Sequence, residues 1–178
     1  MSFTVAVSVA ARTPVGNEVF GVGVQLGDPT AVTAKIMPSE VFAFQFYLGG
    51  GHWYHDYDYY HGNMFITGLD FVFHPVMIYD GWRTCALNLT LGAGAAVGIF
   101  RGWYTADNWN YDWRYDRYYY SDDYYAALFI RFVTGVNLWF KKFPLETFVE
   151  LTPSLRLINP EPIGFHMFWV AAGARWFF

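Results

Sequence analysis

Eight stretches of this chain alternate, residue by residue, between an apolar side chain and a small or polar one, and that period of two constrains the fold most. Phe20, Val22, Val24 and Leu26 alternate with Gly21, Gly23 and Gln25; Val32, Ala34 and Ile36 with Thr33 and Lys35; Phe42, Phe44, Phe46 and Leu48 with Ala43, Gln45 and Tyr47. Phe65, Leu69, Phe71 and Phe73 flank Gly68 and Asp70, and Leu87, Leu89, Leu91, Ala93, Ala95 and Val97 flank Asn88, Thr90, Gly92 and Gly94. Ala126, Leu128, Ile130 and Phe132 alternate with Arg131, then Gly135 and Asn137. Leu145, Val149, Leu151, Leu155 and Leu157 alternate with Glu146, Glu150, Ser154 and Arg156; Phe168, Val170, Ala172, Ala174, Trp176 and Phe178 with Gly173 and Arg175. Successive side chains on a strand point to opposite faces, so each stretch has one apolar face and one mixed face. A soluble sandwich shows one or two such segments, not phenylalanine and leucine on nearly every apolar face of eight.

Composition narrows the setting. Charged residues are 15% and aromatics 22%, against roughly 25% charged in soluble domains. Such a chain is not disordered, which needs low hydrophobicity and high charge. A net charge of −4 and a pI near 5.6 leave no basic face for nucleic acid. No window carries the roughly 18 apolar residues of a membrane helix; the least polar, 85–100, is interrupted by Asn88, Thr90, Gly92, Gly94 and Gly98. A closed β-barrel is the other structure that satisfies its backbone hydrogen bonds in lipid. The expected fold is therefore all-β, a closed antiparallel transmembrane barrel of eight strands over residues 18–178. Residues 1–17 form an N-terminal extension in which Phe3, Val5, Val7 and Val9 also alternate; if they pair, the barrel has ten strands.

Outer-membrane barrels combine short periplasmic turns with longer external loops. Turns near 38–40, 74–83 and 141–144 fall on one side, and connections at 27–29, 50–63, 101–123 and 159–164 on the other, with the two longest outside. This orientation puts the C-terminus in the periplasm. Rings collect near both boundaries, with Trp139, Phe140, Phe143 and Trp176 at the inner one and Trp53, Trp103 and Tyr104 at the outer one, as in aromatic girdles.

Specific segments add a resemblance. Gly-Val-Gly-Val-Gln-Leu-Gly-Asp-Pro-Thr at 21–30 followed by Lys35, Pro-Leu-Glu-Thr-Phe-Val-Glu-Leu-Thr-Pro at 144–153, and Gly-Ala-Arg at 173–175 resemble the first hairpin and the last two strands of small bacterial outer-membrane β-barrel proteins, the eight-stranded OmpA/OmpX-like type. The closing Trp-Phe-Phe resembles the C-terminal signal read by the barrel-assembly machinery. The resemblance implies the barrel, the outer membrane with its lipid and lipopolysaccharide, and that machinery as a partner during insertion. It implies no activity or cofactor.

Parity directs Lys35, Arg131, Arg156 and Arg175 inward with Asp70, Glu146 and Glu150. Buried charges must be paired, and an eight-stranded barrel is only wide enough for side chains to fill. A salt-bridged network that plugs the lumen follows, with a narrow channel as the alternative.

Two connections draw attention. His52, His55 and His61, with Asp56 and Asp58, lie within ten residues; imidazole and carboxylate suit transition metals, but the spacing matches no defined site, and a solvated loop is the plainer reading. The stretch 101–125 carries Trp103, Tyr104, Trp109, Trp113, Arg114, Tyr118 and Tyr119, the residue types that dominate binding hot spots. It is the expected contact surface for another envelope protein, a surface polymer or another copy of the chain, with strands extending past the membrane as the alternative. Catalysis would need a nucleophile, base and acid that converge. Ser154 and Glu150 face the lumen and His166 faces lipid, so a lipid A-modifying enzyme is the lesser reading. Cys85 is the only cysteine, and its parity suggests packing.

Overall fold

A computed structural model describes residues 19–39, 41–54, 61–75, 77–101, 124–158 and 164–178. Its strands are β1 (Phe20–Gly27), β2 (Thr30–Ile36), β3 (Phe42–Tyr54), β4 (His61–Phe73), β5 (Met77–Tyr79), β6 (Cys85–Arg101), β7 (Tyr124–Phe140), β8 (Leu145–Ile158) and β9 (Gly164–Phe177). Eight of them form the barrel; β5 is a three-residue strand beside the start of β6. The order runs β4-β3-β2-β1-β9-β8-β7-β6, and pairing of β4 with β6, from Met64↔Phe100 to Phe73↔Leu91, closes the sheet. All these pairings are antiparallel, and closure leaves no barrel strand with a free edge among the described residues.

The period of two is executed as read. On the outer wall Phe42, Phe44, Phe46 and Leu48 of β3 are exposed beside Phe65, Leu69 and Phe71 of β4. Their rings pack on one another, Phe42 on Phe71 at 5.4 Å and on Phe73 at 5.2 Å. Val22, Val24, Leu91, Val97, Phe132, Val149 and Val170 continue the apolar wall around the barrel. A belt of this kind is stable where hydrocarbon replaces water.

Connections follow local chemistry. Between β1 and β2, Gly27 takes φ 122°, a conformation that favours glycine. Thr30 Oγ1 donates to the Gly27 carbonyl at 2.9 Å, and Gln25 Nε2 to the Pro29 carbonyl at 3.1 Å. Between β2 and β3, Ser39 Oγ accepts the Phe42 N–H at 3.1 Å. The chain end is tied in, with Phe177 N–H to the Pro144 carbonyl and Phe178 N–H to that of Phe20.

Three details differ from the sequence reading. β3 and β4 extend to Tyr54 and from His61, so part of the stretch taken as a 50–63 loop is strand. The 74–83 turn contains β5. Trp139 is not a girdle residue; it is 2% exposed, because it shares the inward parity of Arg131 and Asn137. Residues 1–17, and with them the ten-strand alternative, lie outside the described residues.

Candidate functional site in the barrel interior

The interior holds two apolar clusters and a set of buried charges. Toward the end where β3 and β4 meet at Tyr54 and His61, Met64, Ile66, Ala127, Phe129 and Trp169 cluster with Tyr47. Toward the other end Met37, Ala43, Val72, Val133, Trp139 and Phe177 cluster. Polar and charged side chains share the interior with both clusters, Arg156 paired with Phe129 and Glu146 with Trp139, and Lys35, Asp70, Arg131, Glu146, Glu150, Arg156 and Arg175 are all 3% exposed or less.

Glu146 is the hub. Its Oε1 accepts Lys35 Nζ at 2.6 Å, Trp139 Nε1 at 3.0 Å and the Asn137 amide, and its Oε2 accepts Arg175 Nη1 at 3.2 Å. Arg175 also donates from Nε to Thr33 Oγ1 at 3.1 Å, stacks on Phe148 at 3.8 Å, and lies 3.8 Å from Glu150 Oε1. Glu150 accepts Gln45 Nε2 at 2.8 and 3.1 Å. A polar line continues from Asn137, whose Oδ1 accepts Thr90 Oγ1 at 2.9 Å, to His74, whose Nδ1 lies 3.1 Å from that hydroxyl. Low dielectric strengthens such contacts and makes an unpaired charge costly.

Arg131 and Asp70 make a second centre. They belong to β7 and β4, which are not neighbours; the register Asp70↔Gly94↔Arg131 puts a glycine of β6 between them. A Cβ at Gly94 would lie 2.1 Å from Asp70 Oδ1 and 2.3 Å from the Leu69 carbonyl oxygen. With no side chain there, Arg131 Nη2 comes within 3.6 Å of Asp70 Oδ2. The guanidinium is also over Tyr47 at 4.1 Å and Trp169 at 5.0 Å, a cation held by ring faces. Gly68 and Gly173 likewise leave the space that Tyr47 and Phe148 fill, the small-against-large alternation of a narrow barrel.

No protein-family model matches the chain, and no curated protein matches it. Among solved structures, it is similar to the N-terminal β-barrel domain of Pseudomonas aeruginosa OprF, with a TM-score of 0.50, 16% identity, and coverage of 89% of this chain and 95% of that one. The chain has the fold of an eight-stranded outer-membrane β-barrel. Ail, the attachment invasion locus protein of Yersinia pestis, aligns with a TM-score of 0.38 and 10% identity over 90% of this chain and 94% of its own. Ail in complex with the heparin analogue sucrose octasulfate gives the same values.

The barrel therefore brings Lys35, Glu146, Glu150 and Arg175 together, and Asp70 and Arg131 separately. Arg156 is buried beside a register shift in which Leu128 pairs with Ile158 and Phe129 with Arg156. Trp103, Tyr104, Trp109, Trp113, Arg114, Tyr118, Tyr119 and His55 lie outside the described residues. His52 and His61 fall in the β3–β4 ladder, where His52 pairs with Asn63 and Tyr54 with His61. No group of three metal-ligating side chains occurs among the described residues. Ser154 is buried, with its hydroxyl donating to the Thr152 carbonyl at 3.4 Å. His166 is the extra residue where Ser154 pairs with Met167 and Leu155 with Phe165. Sequence reasoning missed Trp139 and His74 as interior groups. The signal was present, since 70, 72 and 74 continue one parity, as do 131, 137 and 139.

Proposed function

We propose that this protein is an integral outer-membrane barrel with a plugged lumen, a non-catalytic scaffold that works through its external loops. One observation carries the reading: Lys35, Asp70, Arg131, Glu146, Glu150, Arg156 and Arg175 are each 3% exposed or less inside a barrel of eight strands, an interior only wide enough for side chains to fill. A conduit would open such groups to water, whereas here Glu146 accepts from Lys35, Asn137, Trp139 and Arg175 across the lumen. The exposed apolar belt supports insertion in a bilayer.

The end bearing the segments 37–41, 74–84 and 141–144 faces the periplasm with the C-terminus. The longest connection, 102–123, lies at the other end, beyond strands of 17 residues each, longer than the roughly 9–11 needed to cross. Its tryptophans, tyrosines and Arg114 form the contact surface, and its partner is an envelope protein or a second copy. Lipid and lipopolysaccharide surround the wall, and the barrel-assembly machinery inserts it. Single-channel recording of purified protein in a planar bilayer tests the reading. Inserted protein without discrete conductance steps is expected; stable openings in a neutral salt solution would overturn it.

A further inference from the structure

At the end of the barrel that carries the C-terminus, the connection between β4 and β6 is built around β5. Met77 pairs with Asn88 and Tyr79 with Leu87. Lys141, from the β7–β8 turn, fastens the connection: its Nζ lies 2.6 Å from Asp80 Oδ1 and donates to the carbonyls of Asp80 at 2.8 Å and Trp82 at 2.7 Å. Tyr79 and Trp82 pack edge to face at 5.1 Å. The fastened segment presents Ile78, Tyr79 and Trp82, and the adjoining turn presents Phe143, each 44–55% exposed. This patch lies at the foot of the apolar wall, just past the Cys85↔Phe140 pair that begins the β6–β7 ladder. Tyrosine and tryptophan favour the level of lipid headgroups.

Three cations stand in this patch. Lys141 is committed to Asp80, but Arg83 and Lys142 are exposed and have no carboxylate within ion-pairing distance among the described residues. The Lys141 N–H donates to the Thr84 carbonyl at 2.8 Å, carrying the β6–β7 register one step beyond Cys85↔Phe140. Carried one step further, that register sets Arg83 opposite Lys142, where the two connections leave the ladder. Like charges in that relation repel, and an anion between them would turn the repulsion into a shared attraction.

We infer that this rim is a binding site for the phosphodiester headgroup of an anionic phospholipid. Arg83 offers a planar fork of donors and Lys142 a compact charge. The rings of Tyr79, Trp82 and Phe143 seat the glycerol and upper acyl region, continuous with the lipid-facing wall. The inference rests on the membrane-spanning reading above and adds the lipid class and the residues that select it.

Native mass spectrometry of the detergent-released barrel tests it, with dioleoyl-phosphatidylglycerol and dioleoyl-phosphatidylcholine added in equal amounts. The wild type is expected to retain the anionic lipid with a preference on the order of tenfold. R83Q/K142Q should bring the two lipids near parity, and each single variant should lie between. Equal retention by the wild type, or an undiminished preference in these variants, would overturn the inference. Insertion is read separately, from the change in gel migration on boiling. A wild type that never inserts overturns the barrel reading itself, whereas an inserted barrel without lipid preference overturns this inference alone.

Discussion

Replacing Glu146 with glutamine tests the interior network at its hub. Glu146→Gln keeps the size of the side chain but removes the charge and one of the two acceptor oxygens, so its NH2 must face either Arg175 or the Lys35, Trp139 and Asn137 donors of the native carboxylate. Arg175 keeps Glu150 at 3.8 Å. Lys35 keeps no carboxylate within ion-pairing distance among the described residues, at 0% exposure. Stranding one member of a buried pair costs about 3–5 kcal/mol. With a urea dependence of about 2 kcal/mol per molar, the unfolding midpoint falls by about 2 M. Tryptophan fluorescence of barrels refolded into phosphatidylglycerol/phosphatidylcholine vesicles, titrated with urea, measures it. The double variant K35M/E146Q removes both charges and should be more stable than E146Q. A midpoint unchanged in E146Q, or a double variant weaker than the single one, would refute the assignment of Glu146 as the acceptor that holds Lys35.

Three further outcomes are expected. Gly94→Ala should lose about 1–3 kcal/mol through overpacking, since its Cβ would meet the Leu69 carbonyl oxygen at 2.3 Å, whereas Gly50→Ala, with its nearest neighbour at 3.8 Å, should be neutral in the same titration. Leu69→Arg, on the exposed face of β4, should cost about 2–4 kcal/mol in a bilayer, while a wall facing water would tolerate it within about 0.5 kcal/mol. Replacing 102–123 with a short Gly-Ser linker should leave the heat-dependent gel shift intact and abolish co-purification of the envelope partner; capture that survives would place the contact surface elsewhere.

The strands were legible because a lipid-facing wall writes a period of two into the sequence. Phe42, Phe44 and Phe46 on one face and Ala43, Gln45 and Tyr47 on the other leave no other assignment. The same parity delivered every charged interior residue of β2, β4, β7, β8 and β9. What parity does not carry is which strands meet across the lumen: the Arg131–Asp70 contact depends on Gly94 in the strand between them. Trp139 was misread because a ring near a strand end has the chemistry of a girdle residue, and its donation to Glu146 becomes visible only once the β7–β8 pairing Trp139↔Glu146 is known. His74 was hidden by the turn-like Pro75 and Gly81 that follow it, and β5 by its length of three residues.

Nitroxide scanning of the outer wall tests most directly the claim that this barrel spans a membrane. Labels at Phe46, Leu69, Val97 and Val149, all exposed on outward faces, would be attached in a Cys85→Ser background and read in vesicles for collision with oxygen and with a water-soluble nickel complex. High oxygen and low nickel accessibility at all four positions is the predicted result. Ready access of nickel to them would show a wall facing water and contradict the account.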